Sequence, residues 1–289
     1  MVDFGGHEAS CGSLEEATFV VLPVPYDLTS TYMPGSRKGP QSILEASANM
    51  ELYDDELRRE TYRSGIFTLP SLEIDARGPQ EMIAAVEKEI NGILDRKKIP
   101  VMLGGEHSIS AAAVRALYGR HPGLSVLHLD AHADLRDSYQ GSRYSHASVA
   151  RRISEICPIV QAGIRSLSME EAEFLESSNI PQFTSGTIRE QSNWGKNICE
   201  KLTEDVYVTL DLDVLDPSLM PATGTPEPGG LGWWDVMTLL RTVATERTIR
   251  GFDVVELCPI PGMIAPDFTA AKLVYRLMGY IVGAHELSR

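Results

Sequence analysis

The chain has 289 residues, 43% of them hydrophobic and 23% charged, enough length and apolar content to bury a large core. Its formal net charge of -14 argues against a nucleic-acid-binding surface and mildly favours cationic small molecules as ligands. No apolar run is long enough to cross a bilayer, and the start "MVDFGGHEASCGSLEEA" lacks a basic segment and an apolar h-region, so a cytoplasmic protein with no membrane partner is expected. Internal repeats, like-charge blocks and Ser/Gly/Pro-rich linkers are missing too, which predicts a single domain over residues 1–289. Cys11, Cys157, Cys199 and Cys258 are scattered without CxxC spacing and read as small hydrophobes rather than a disulfide framework or a zinc knuckle.

In chain order, apolar β-branched runs occur at 18–24 ("TFVVLPV"), 99–103 ("IPVML"), 124–130 ("LSVLHLD"), 158–164 ("PIVQAGI"), 205–213 ("DVYVTLDLD") and 250–257 ("RGFDVVEL"). Each reads as a strand, and two weaker runs bring the expected total to seven or eight. Between them, Met82, Ile83, Val86, Ile90, Ile93 and Leu94 fall on one helical face, and "DVMTLLRTVATE" has the same period. Alternating strand and helix predicts an α/β protein with a mostly parallel sheet covered by helices on both faces. In such folds ligands sit at the carboxyl ends of the strands.

Polar residues collect at those ends. "IPVML" runs into "GGEHS", which presents His107; "LSVLHL" runs into "DAHAD", with Asp130, His132 and Asp134. If the extended chain continues through 134, side chains at i, i+2 and i+4 share a face, so these three would converge. "VYVTL" runs into "DLDVLDP" with Asp211 and Asp213 at the same spacing, and "GFDVV" runs into Glu256. A lone DxD after a strand is more often a helix cap or a turn. Four strands delivering so many acids to one rim without a counter-charge instead call for cations.

Four Asp and two His form an oxygen-rich donor set without thiolate, which suits Mn(II) or another hard-to-borderline divalent ion better than structural zinc. Two divalent ions balance four carboxylates. Such a pair, roughly 3.5 to 4 Å apart, can activate a bridging water near neutral pH. The expected chemistry is hydrolysis.

The ordered set "GGEHS", "DAHAD", "SHAS", "DLDVLDP" followed by "PATGTPEPGG", and "VVEL", with the early "VPYDLTSTYMPGSRKGPQSI", resembles the ureohydrolase family of arginases and agmatinases. The resemblance runs from about Val21 to Gly279. It implies a three-layer α/β/α fold, two Mn2+ ions per subunit, and hydrolysis of a guanidino compound to urea and an amine. It implies that His107, Asp130, Asp134 and Asp211 bind one ion and Asp130, His132, Asp211 and Asp213 the other, with Asp130 and Asp211 bridging. It further assigns Glu256 to the guanidinium, His146 to proton transfer from a flexible loop, and Thr225 to the pocket, and it implies a homo-oligomer, trimeric or hexameric. His128, two residues before Asp130, reads as a buried supporting or core histidine rather than a ligand.

Two departures from the family pattern touch the pocket wall rather than the metal set: Ala147 and Ser148 replace the frequent Gly and Thr after the loop histidine, and Cys258 stands where Asn or Ser is common. The loop that grips an α-amino acid in arginases is absent, which favours agmatine or an aminopropyl derivative in polyamine synthesis. Arginase, guanidinobutyrase and formiminoglutamase activities are the alternatives within the family. Outside it stand a non-catalytic metal or guanidine sensor and a mononuclear zinc deacylase. In the loop before His146, Arg136, Arg143 and Asp137 are the candidates to meet the substrate's far end.

Overall fold

Eight runs form one sheet in the computed structural model, which describes residues 2–287. They are β1 (Phe19–Val24), β2 (Ile66–Thr68), β3 (Ile99–Gly104), β4 (Ser125–Leu129), β5 (Ile159–Ile164), β6 (Gln182–Thr184), β7 (Asp205–Asp211) and β8 (Thr248–Val255). The six runs expected from sequence are all strands. The two additions, β2 and β6, are three-residue edge strands.

All pairings in the sheet are parallel, and the spatial order is β2-β1-β3-β8-β7-β4-β5-β6. This order decides where chemistry can occur. Strands β3, β8, β7 and β4 are consecutive neighbours, and these four carry the acids and histidines singled out above. Because parallel strands share one carboxyl edge, residues up to 149 positions apart in the chain become adjacent there.

Side chains alternate across the sheet and so build two cores. Val21, Val101, Leu127, Val208 and Val254 pack with α1 (Gly39–Ser47), α7 (Trp194–Cys199), α8 (Trp233–Glu246) and α9 (Ala265–Leu287). Val20, Met102, Val126 and Tyr207 pack on the other face with α2 (Pro79–Asp95), α3 (Ser110–Tyr118) and α4 (Val149–Ser154). The two short helices α5 (Met169–Ser177) and α6 (Ser185–Glu190) flank β6. This is the expected three-layer α/β/α arrangement. Cys157 and Cys199 are buried, Cys11 and Cys258 half-buried, and all four are unpaired.

Two strand ends differ from expectation. The run 205–213 leaves the sheet at Asp211 and turns through a 3-10 segment at Leu212–Val214. The "DAHAD" run is not extended to its end: β4 stops at Leu129, His132 bridges Ser166, and Asp134 adopts a left-handed backbone with φ 52°.

Candidate metal centre

On the face of the sheet that packs against α3 lies a row of polar side chains in register. His128 on β4 pairs with Gln161 on β5 and with Thr209 on β7, and Thr209 pairs with Asp253 on β8. All four are fully buried, so each must be satisfied internally, and the hydrogen bonds fix the direction of every donor. Gln161 Nε2 donates to Ala133 O at 2.7 Å and to His128 Nδ1 at 3.2 Å, which leaves the ring hydrogen of His128 on Nε2, 3.2 Å from Asp130 Oδ2 but without hydrogen-bond geometry. His128 thus lies within reach of the same cation position as His107, Asp130 and Asp134, with Nδ1 taken up by Gln161. Tyr207 and Thr209 donate to the two oxygens of Asp253, each at 2.7 Å. With its hydrogen so committed, Thr209 Oγ1 accepts from His107 Nε2–H at 2.9 Å. The lone pair of His107 is thereby held on Nδ1, pointing away from the row.

Above this row the predicted ligands form two groups. In the first, His107 Nδ1 lies 3.0 Å from Asp130 Oδ2 and 3.5 Å from both Asp134 Oδ2 and Asp211 Oδ2. In the second, His132 Nδ1 lies 2.9 Å from Asp213 Oδ2 and 3.5 Å from Asp130 Oδ1. Donor atoms about 2.1 Å from one ion and at right angles to each other lie roughly 3 Å apart, so both groups have the spacing of ligands around a cation. Asp130 belongs to both groups, one oxygen to each. His107 Nδ1 and Asp130 Oδ2 are buried and make no hydrogen bond of acceptable geometry among the described residues. A divalent cation supplies what these two atoms lack. Asp211 Oδ1 accepts from Asp213 N at 2.8 Å, which fixes the turn joining those two carboxylates.

The electrostatics show the same demand. Burial, and then Asp130, hold the Asp134 carboxyl well above the usual range; burial, and then Asp213, do so for Asp211. Burial notwithstanding, the neighbouring His107, His128 and His132 hold Asp130 well below that range. His107 is driven up by Asp130 and Asp211 against its burial, and His132 by Asp213 and Asp130 against its own. These opposed shifts are what a buried carboxylate cluster short of positive charge produces.

His132, Asp134, Asp211, Glu256, His146 and Thr225 line a cavity of about 280 Å³ above the two groups. Glu256 follows β8 with a left-handed backbone, φ 66°. Its Oε1 accepts from His107 N at 2.8 Å and its own N–H donates to Gly105 O at 2.7 Å. Gly105 is obligatory, since a Cβ there would sit 2.0 Å from Tyr26 O. Burial, reinforced by Glu106, pushes the Glu256 carboxyl up to about 8. His146 also lines the cavity, its ring edge-on to Tyr139 at 5.9 Å. Burial lowers its pKa to about 4, and His132 and His107 reinforce this.

Of the loop candidates for the far end, Arg136 lines the cavity and Asp137 and Arg143 do not. Asp137 is paired on the surface with Arg152 at 2.8 Å and Arg143 at 3.4 Å. An acid outside that set that does line the cavity is Glu171, which sequence reasoning missed. It closes the capping box of α5 with Ser168 and accepts from Leu135 N at 2.9 Å. The S-x-x-E spacing at Ser168 was the available signal. Arg165 was missed as well; it donates to Asp213 O at 2.6 Å and Glu227 O at 2.8 Å, tying the Asp213 turn to the loop before α8.

Residues 17–279 match the sequence profile of the Arginase family. The N(1)-aminopropylagmatine ureohydrolase of Synechocystis sp. is 37% identical over 276 residues, covering 93% of this chain and 90% of that protein. The enzyme of the same name from Thermus thermophilus is 40% identical over 266 residues, covering 92% and 90%. Among solved structures, the agmatine ureohydrolase of Thermoplasma volcanium superposes with a TM-score of 0.91 at 32% identity, covering 100% of this chain and 97% of that one.

Proposed function

The chain belongs to the arginase family, and from that premise we propose that it is a di-manganese ureohydrolase, residues 1–289 forming one catalytic domain, that converts agmatine or aminopropylagmatine to urea and an amine. The observation that carries this reading is the pair of His/Asp groups joined by Asp130 on the floor of a cavity that also holds Glu256 and His146. His107, Asp130, Asp134 and Asp211 would hold one ion, and Asp130, His132, Asp211 and Asp213 the other, with Asp130 and Asp211 shared. When bound, two divalent ions supply a water activated for attack near neutral pH. The all-oxygen and imidazole donor set favours manganese.

The chain's own residues would supply the rest. Glu256, held by the His107 backbone N–H, presents a carboxylate to the planar, cationic guanidinium and fixes its central carbon over the floor of the cavity. His146 transfers a proton to the leaving amine at its free ring nitrogen. Thr225 lines the same cavity and would lie along the bound substrate. Glu171 lines it too and would offer negative charge to a terminal ammonium, and the chain's net charge of -14 favours a doubly cationic substrate. Family membership carries the expectation of a trimer or hexamer, and a polyamine-forming enzyme would work in the cytoplasm.

A second reading, a substrate with a carboxylate tail such as arginine or guanidinobutyrate, is favoured by Arg136, which also lines the cavity. Arg136 and Glu171 lie 4.0 Å apart and partly neutralise each other, and the Arg136 guanidinium is also 5.0 Å over the Tyr139 ring, so the preference for a cationic tail rests on the chain's acidity and the missing α-amino-acid grip. Urea release from agmatine, aminopropylagmatine, arginine and guanidinobutyrate, with and without Mn(II), separates the readings. The cationic substrates should exceed arginine in kcat/KM by at least ~10²-fold, since the wrong tail must desolvate an unpaired charge. Arginine or guanidinobutyrate as the better substrate would refute the preference for a cationic tail.

A further inference from the structure

Glu106 stands inside "GGEHS", is fully buried, and holds no predicted role. A buried carboxylate must collect donors, and the donors it collects come largely from the loop after β1. Thr29 N donates to Oε2 at 2.6 Å and Thr29 Oγ1 to Oε1; Ser108 Oγ adds a bond to Oε1 at 2.6 Å, and Ser30 Oγ a long one to Oε2 at 3.5 Å. Thr29 is thereby clamped by both its backbone and its side chain. Its hydroxyl hydrogen is committed to Glu106, so toward any other neighbour Thr29 Oγ1 acts only as an acceptor.

That neighbour is His146. Thr29 Oγ1 accepts from His146 N at 3.1 Å and lies 3.4 Å from His146 Nδ1. Ser145 Oγ is also 3.4 Å from Nδ1. If Nδ1 were unprotonated, Ser145 could donate to it, but its lone pair would then face that of Thr29. With a hydrogen on Nδ1 both hydroxyl oxygens accept it and neither contact is repulsive. The other ring nitrogen, Nε2, is then the one that exchanges protons with the cavity that His146 lines.

We propose that Thr29, anchored by the buried Glu106, is a positioning residue that fixes both the loop and the ring tautomer of His146, so that Nε2 faces the reacting amine. The proposal rests on the reading of His146 as the proton carrier. It also gives the loop after β1 a role in turnover: three distant segments, 29, 106 and 146, act as one unit.

A double-mutant cycle on the manganese-loaded enzyme with agmatine tests it. Thr29→Val, which keeps the shape and removes the hydroxyl, should lower kcat by about 10- to 100-fold with little change in KM, the range typical of a partner that orients a histidine. Thr29→Ser should recover most of that loss. In a His146→Ala background, Thr29→Val should cost nothing further, because residues acting as one unit are not additive. An equal loss in both backgrounds would overturn the proposal. A His146→Ala variant with full turnover would instead overturn the proton-carrier reading. A readout independent of turnover then decides the positioning claim: two-bond ¹H–¹⁵N correlations of the ¹⁵N-labelled, Mg(II)-loaded protein should show His146 protonated at Nδ1. Protonation at Nε2 alone would refute it, whether or not the variants fold.

Discussion

Replacing Thr209 by valine isolates the contribution of the buried polar row to the metal centre. Valine has nearly the same shape, so no cavity is created, and the loss is confined to hydrogen bonding. Thr209 and Asp253 are 0% exposed and His107 1%, which means water cannot replace what is removed. His107 Nε2–H loses its one acceptor and Asp253 Oδ1 loses a donor, while Tyr207 still holds the other oxygen. An unsatisfied buried group costs about 1–3 kcal/mol. Two such groups, one partly compensated, predict a loss of about 2–4 kcal/mol, a sizeable share of the 5–15 kcal/mol of a typical domain. A released His107 ring also has to be reoriented to ligate, so metal affinity should fall about 10- to 100-fold. Urea unfolding of chelator-treated protein reads the first quantity, and competition titration with a chromophoric chelator reads the second. A loss under about 1 kcal/mol together with unchanged metal affinity would refute the reasoning, since an isolated hydrogen bond in contact with water costs no more than that.

Asp130→Ala removes the carboxylate that both ligand groups share, so the dialysed variant should fall from two metal equivalents per chain to at most one by elemental analysis; two retained equivalents would refute the shared role. His146→Ala should keep both equivalents and lose on the order of 10²- to 10⁴-fold in kcat, and an unchanged rate would make it a bystander. Metal-stripped protein should lose stability as pH rises from about 6.5 to 8. Asp134, Asp211 and Glu256, the last at about 8, hold protons more tightly folded than unfolded, and such groups weaken the fold above the unfolded carboxylate pKa of about 4. Asp130 runs the opposite way below about pH 4, and His128 and His146, held below the usual imidazole range by burial, do so up to about 6.5; both windows lie below this one. Metal should abolish the dependence, and a stripped protein that gains stability over this range would contradict the assignment.

Strands β1, β3, β4, β5, β7 and β8 were legible because strands buried on both faces must be apolar along their whole length. The edge strands β2 and β6 have only three residues each, too few for a periodic signal. Strand order was illegible, because crossovers of similar length can place a strand on either side of its predecessor. The six proposed ligands stood out in the sequence because each lies close behind an apolar run. Asp134 does lie beside His107, but not for the expected reason: the period-two argument fails at its left-handed backbone, and the close contact comes from that turn. Glu106 and Thr29 carried no signal. One sits a single residue before a ligand, the other in a loop, and their contact joins positions 77 apart. Asp137 looked like a pocket acid because it lies in the right loop, yet Arg152 and Arg143 draw it outward.

The left-handed backbone at Asp134 and Glu256 bears on how such a chain would drift if turnover ceased to matter. Non-glycine residues in that conformation cost about 1–2 kcal/mol, and glycine would relieve it. At position 256 the same change also removes a buried carboxylate held far from its preferred charge state. Selection for thermal robustness alone would therefore push these two positions toward glycine, against the site. In a lineage of related chains, glycine or asparagine at either position would mark members that kept the scaffold and abandoned the reaction. Acids at both would mark members still under selection for catalysis, and a laboratory screen scored only on melting temperature would be expected to erase them first.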